Sequence, residues 1–125
     1  MTASTILIVD DSPSIRQTIT SVLCGAGYKT LEAVDGQDAL DRLGELGEPI
    51  ALAIVDINMP RLDGIALVRA LRQAESSRFV PILMLTAETR RERREEARQA
   101  GATGWIVKPF AVDDVLALVQ RLLRR

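Results

Sequence analysis

The chain has 125 residues, 47% apolar and 26% charged, enough for one folded domain that needs no metal or disulfide staple. Its 16 Lys and Arg against 17 Asp and Glu leave a net charge of −1, which argues against nucleic-acid binding through bulk positive charge. With no histidine and a single cysteine, Ser-His-Asp and Cys-His catalysis, His-ligated zinc or haem, an internal disulfide and a relay through its own phosphohistidine are excluded.

Short apolar runs alternate with helix-period segments five times. Residues 6–9 form a continuous β-branched run, as a strand buried on both faces requires. Ser12 and Pro13 supply a cap and a first-turn proline for a helix carrying Ile15, Ile19, Val22, Leu23 and Ala26, closed by Gly25 and Gly27. Cys24 reads as a small buried side chain of that helix rather than a redox centre. Residues 28–34 read as a second strand, Asp35-Gly36 as a turn, and residues 38–46 as a short helix. Residues 50–55 are a third strand ending at Asp56, followed by a turn-rich loop, 58–64, and a helix carrying Ile65, Leu67, Val68 and Leu71.

A fourth strand over residues 80–85 ends at Thr86. Residues 88–100 give a very polar helix and residues 104–107 a fifth strand. The last helix, 113–124, starts with Asp113-Asp114 and ends with arginines, as its macrodipole favours. Five βα units imply an α/β domain over residues 1–125, a parallel sheet with helices on both faces. No apolar run reaches the roughly 18 residues of a membrane span, and residues 1–5 lack a signal-peptide profile. A cytoplasmic protein with no membrane insertion is the expectation.

In open parallel sheets the functional crevice lies beyond the carboxyl ends of the strands. Asp10, Asp11, Asp56, Thr86 and Lys108 stand there. Alone, an Asp pair is most often a helix cap beside a solvated neighbour, and a Thr ending a strand needs no further reason. Together the carboxylates conflict, because each like-charge pair at about 4 Å costs on the order of 4 kcal/mol at an effective dielectric near 20. Lys108 offsets one charge and a divalent, oxygen-loving ion would offset two more. Mg²⁺ suits so few ligands better than Ca²⁺. Beside metal and lysine, the Thr86 hydroxyl could hold a phosphoryl oxygen while Asp56 attacks phosphorus.

These residues carry a resemblance along the whole chain. Ile6-Leu7-Ile8-Val9-Asp10-Asp11-Ser12, Val55-Asp56-Ile57-Asn58-Met59-Pro60 with Asp63-Gly64, Leu85-Thr86-Ala87-Glu88 and the run from Gly101 through Lys108-Pro109-Phe110 resemble a bacterial response-regulator receiver domain. Among receivers the chain is most similar to the single-domain chemotaxis, CheY-like type, whose strand order is 2-1-3-4-5. The resemblance implies that Asp56 accepts a phosphoryl group from the phosphohistidine of a histidine kinase. It implies Mg²⁺ on Asp11, Asp56 and the Asn58 carbonyl, with Asp10 acting largely through water. Lys108 would pair with phosphoryl oxygens, and a cis peptide would precede Pro109. Thr86 and Trp105 would form the switch to an output face on the fourth helix, fifth strand and fifth helix. Asn58 and Glu88 would tune phosphoryl lifetime toward a short-lived state. Trp105 departs from the family's usual Tyr or Phe.

A monomer is expected, signalling to a downstream target such as a flagellar motor switch protein. The alternative is a phosphoryl sink or phosphorelay intermediate. Beyond self-catalysed phosphotransfer and autodephosphorylation, no enzyme activity is expected. An Asp-dependent phosphatase would place a second Asp two residues after its nucleophile on the first strand and add a cap, and the chain offers neither. A flavodoxin-like cofactor binder would present a Ser/Thr/Gly phosphate loop where Asp10-Asp11 stands. The charged stretch 88–98 mixes signs, with spacings such as Arg91–Glu95 and Glu95–Arg98, and reads as a solvated helix rather than a nucleic-acid stripe.

Overall fold

The computed structural model describes residues 4–87 and 90–124. Its elements run β1 (Thr5–Val9), α1 (Pro13–Gly25), β2 (Lys29–Ala33), α2 (Gly36–Leu46), β3 (Leu52–Asp56), α3 (Gly64–Gln73), a 3₁₀ turn (Glu75–Ser77), β4 (Ile82–Thr86), α4 (Arg91–Ala100), β5 (Gly104–Val107) and α5 (Val112–Leu123). The strands form one parallel sheet in the order β2-β1-β3-β4-β5. The predicted fold class and strand order are therefore those observed.

The burial pattern follows from that order. β1, β3 and β4 are buried at every residue, which is why their sequences read as unbroken apolar runs. β2 and β5 lie at the edges and are only partly covered. One face of the sheet, with Ile6, Ile8, Ile54 and Leu85, packs on Ile19 and Leu23 of α1 and Val115 and Val119 of α5. The other face, with Leu7, Val9, Val55 and Met84, packs on α3 through Ile65, Leu67, Val68 and Leu71, and on Ala39 of α2 and Ala97 of α4. Each fully buried Ile, Leu or Val contributes about 1.5–3 kcal/mol relative to exposure.

Helix starts agree with the cap chemistry. Ser12 Oγ accepts from the Ile15 amide at 3.4 Å, Asp35 from Asp38 at 2.8 Å, and Asp63 from Ala66 at 2.9 Å. Two expectations need correction. α4 starts at Arg91 rather than residue 88, because Arg90 is extended (φ −73°, ψ 126°) and forms its N-cap. Cys24 is exposed, not buried. Turning about 100° per residue, α1 buries Leu23 and carries its successor off that face. Cys24 Sγ lies 3.7 Å from Thr30 Oγ1 at the sheet edge. Among the described residues no helix is long and apolar enough to cross a membrane.

Candidate phosphoryl and metal site

Strand register brings the acidic residues together. Val9 pairs with Val55, so Asp10 and Asp56, one step further along adjacent parallel strands, emerge side by side. One oxygen from each of Asp10, Asp11 and Asp56 lies within 4.8 Å of the other two. Asp10 and Asp56 are buried, whereas Asp11 is exposed. Lys108 follows β5, which is two strands from β3, or roughly 10 Å at usual strand spacing. Its long side chain crosses that gap, placing Nζ 3.0 Å from Asp10 Oδ2 and 3.3 Å from Asp56 Oδ2. The Lys108–Pro109 peptide is cis, as the resemblance implies.

Burial pushes the Asp56 carboxyl above its ordinary value, and the neighbouring Asp10 charge adds to the rise. Lys108 and the Asn58 amide, which donates to Asp56 Oδ1 at 3.3 Å, only partly oppose it. For Lys108, burial acts downward, but its contact with Asp10 and the charges of Asp56 and Asp10 raise it overall. Thr86 is fully buried at the end of β4, and its carbonyl accepts from the Lys108 amide at 2.9 Å. Asn58 is exposed at the start of the β3–α3 loop. Glu88 lies outside the described residues.

The donor set fits a hard divalent cation. It offers three converging carboxylates against one ammonium, and its ligand atoms are oxygens. Asp10 Oδ2 is buried and lies 3.0 Å from Lys108 Nζ, and beyond that ion pair it has no partner among the described residues. A cation beside Asp10 and Asp56 would offset the repulsion that raises Asp56.

The β3–α3 loop is fixed by features that sequence reasoning missed. Arg61 adopts a left-handed backbone (φ 62°) and donates to buried Asp35 through Nε at 2.8 Å and Nη2 at 3.1 Å. That hydrogen bond is the largest cause holding the Asp35 carboxyl below its ordinary 3.8. A depressed folded value means stabilisation present above the unfolded value and lost as pH falls. Arg61→Ala is therefore expected to lower stability most at neutral pH, with the deficit shrinking as pH drops below 3.8. Urea unfolding of both proteins across that range checks it.

Trp105 pairs with Met84 in the sheet and is half-buried, with the Arg94 guanidinium 5.8 Å from its ring centroid. The polar helix α4 is thus more than a solvated face. Arg98 pairs with Glu95 as expected, but Arg93 also reaches Asp63 at 3.3 Å and Glu96 at 3.1 Å. Losing the guanidinium removes about 0.5–1 kcal/mol of cation–π attraction. Arg94→Ala is expected to alter Trp105 emission at unchanged fold, read by fluorescence against circular dichroism.

Comparison with known proteins agrees with this geometry. Residues 6–120 match the response regulator receiver domain family. The chain is 39% identical to the chemotaxis protein CheY of Pseudomonas aeruginosa, covering 96% of both chains. It is 40% identical to the transcriptional regulatory protein PdtaR of Mycobacterium tuberculosis and to the response regulator MprA of Mycobacterium avium. It spans only 57% and 51% of those two, about half the length of such relatives. Among solved structures, Vibrio cholerae chemotaxis protein CheY4 matches with a TM-score of 0.90 and 42% identity, over 98% of this chain and 100% of that one. With the family match spanning nearly every element and the acidic edge formed as described, the chain belongs to the response regulator receiver domains of two-component signalling.

Proposed function

We propose that the protein is a Mg²⁺-dependent phosphoryl-accepting switch of the cytoplasm, with Asp56 as the acceptor and a histidine kinase as donor. The observation that carries this reading is the convergence of Asp10, Asp11, Asp56 and Lys108 at one sheet edge. An Asp56 carboxylate oxygen attacks the phosphorus, the P–N bond to the donor imidazole breaks, and that imidazole leaves as the nitrogen recovers its electron pair. Asp11, Asp56 and the Asn58 carbonyl would hold the ion, with Asp10 assisting through water. When bound, Mg²⁺ supplies charge neutralisation on the phosphoryl oxygens. Lys108 then exchanges its Asp56 contact for a phosphoryl oxygen, and the Thr86 hydroxyl binds another. Trp105, behind Thr86 on the next strand, reports the change to the face formed by α4, β5 and α5. Asn58 and Glu88 set the phosphoryl lifetime, and water attack on the acyl phosphate returns Asp56 to its resting state.

The match to Pseudomonas aeruginosa CheY over 96% of both chains supports a CheY-like role in chemotaxis, with a flagellar motor switch protein as the target. PdtaR and MprA match at similar identity, so the matches do not single out chemotaxis; a phosphoryl sink or relay intermediate is the second reading. Phosphorylation-dependent binding to a motor switch protein supports the first; return transfer to the kinase without such binding supports the second. The central test is intact mass and Trp105 fluorescence with Mg²⁺, before and after acetyl phosphate. One added phosphoryl group at Asp56 with a change in emission is expected. No mass gain, together with no response to a stable phosphoryl mimic, would overturn the proposal.

A further inference from the structure

The acidic turn after β1 is also held from the side of α1. Arg16, one turn into that helix, has a side chain only 14% exposed. Its Nη1 donates to the backbone carbonyl of Asp10 at 2.6 Å, and its Nε donates to Glu32 Oε1 at 3.2 Å. Glu32 lies on β2, paired with Ile8. One guanidinium therefore ties the start of α1 to the end of β1 through the Asp10 carbonyl and to the edge strand through the Glu32 carboxylate.

That carbonyl belongs to the planar peptide linking Asp10 to Asp11, so its direction fixes where the Asp11 side chain starts. The Asp10 carboxylate has restraints of its own, from the Ser12 amide at 2.9 Å and from Lys108 at 3.0 Å. Asp11 is exposed, and its aim toward the other two carboxylates depends on the backbone beneath it.

We infer that Arg16 is a positioning residue for the metal site: anchored by Glu32, it orients the Asp10–Asp11 peptide so that the Asp11 carboxylate meets those of Asp10 and Asp56. This rests on the metal reading proposed above. Charge and positioning predict opposite signs. Acting only as a cation near three carboxylates, Arg16 would repel a divalent ion, and its removal would tighten binding. Acting as a clamp, its removal loosens binding, since partners that orient metal ligands commonly contribute about 10- to 100-fold in affinity.

Calorimetric titration of the full chain with Mg²⁺ alone tests the sign. Arg16→Ala is expected to weaken binding by about tenfold, the low end for such partners. Arg16→Lys keeps the charge but loses the two-pronged donor geometry, so it is expected to weaken binding too. With Asp11→Ala already in place, Arg16→Ala is expected to add little, because the ligand it orients is gone. Unfolding in EDTA reports stability separately, and if Arg16→Ala does not fold, Arg16→Lys carries the test. Native or tighter Mg²⁺ affinity in the folded variants would overturn the clamp and leave the metal site standing. Absence of Mg²⁺ binding by the native chain would overturn both.

Discussion

Asp56→Asn is expected to take up no phosphoryl group from acetyl phosphate under conditions that label the native chain. An amide is a far weaker nucleophile than a carboxylate, and loss of a nucleophile removes more than about 10³-fold of a group-transfer rate. The same substitution is expected to leave the metal-free domain at least as stable as the native one. Burial and the Asp10 charge disfavour an ionised Asp56, and the net direction of its shift is upward. An amide of nearly the same shape removes that conflict. Mass spectrometry reads the first outcome and urea unfolding in EDTA the second. Label persisting on Asp10 or Asp11 in the variant would show that the acceptor is misassigned. A large loss of stability would mean that the Lys108–Asp56 contact outweighs the cost of burying the charge.

Gly64→Ala is expected to destabilise the domain by about 3 kcal/mol, the upper end of what overpacking usually costs. A Cβ on Gly64 would lie 2.1 Å from the Asp56 carbonyl oxygen and 2.8 Å from Ile57 Cα. The obstacle is backbone, which cannot rotate aside as a side chain can. The Gly64 amide also donates to the Ile57 carbonyl at 2.9 Å, so α3 begins directly against the end of β3. Relief requires moving either α3 or the strand end that carries Asp56, and Mg²⁺ affinity is expected to fall with stability. Gly44 in α2 is the control, since a Cβ there meets nothing within 4 Å. Gly44→Ala is expected to stabilise by about 0.5–1 kcal/mol through helix propensity. Similar urea midpoints for the two variants would defeat the argument from close approach.

The fold was legible because its signals are local and repeated. Strands buried on both faces must be apolar at every position, and β1, β3 and β4 are. The Ser12 cap acts within three residues of itself, so a short window contains both partners; Asp35 and Asp63, read only as turn residues, cap α2 and α3 at the same spacing. Misplacements arose where neighbouring residues leave the matter open. The start of α4 depends on the backbone of Arg90, and the exposure of Cys24 depends on which turn of α1 faces the sheet.

The candidate site divides along the same line. The sequence alone determined a parallel α/β sheet with Asp10, Asp11, Asp56, Thr86 and Lys108 at strand ends, because alternation of βα units puts every carboxyl end on one edge. It could not determine how the arginines are used. Arg16 reaches the Asp10 carbonyl, Arg61 crosses 26 residues of chain to Asp35, and Arg94 lies over Trp105. Arg72 gathers the carbonyls of Ser77, Val80 and Gly101 at the opposite end of the sheet. A guanidinium carries five donors on a long, flexible stem, and its sequence neighbours do not say which oxygens it will meet. Only the packed chain decides that, by bringing distant carbonyls and carboxylates within about 3 Å of one another's donors.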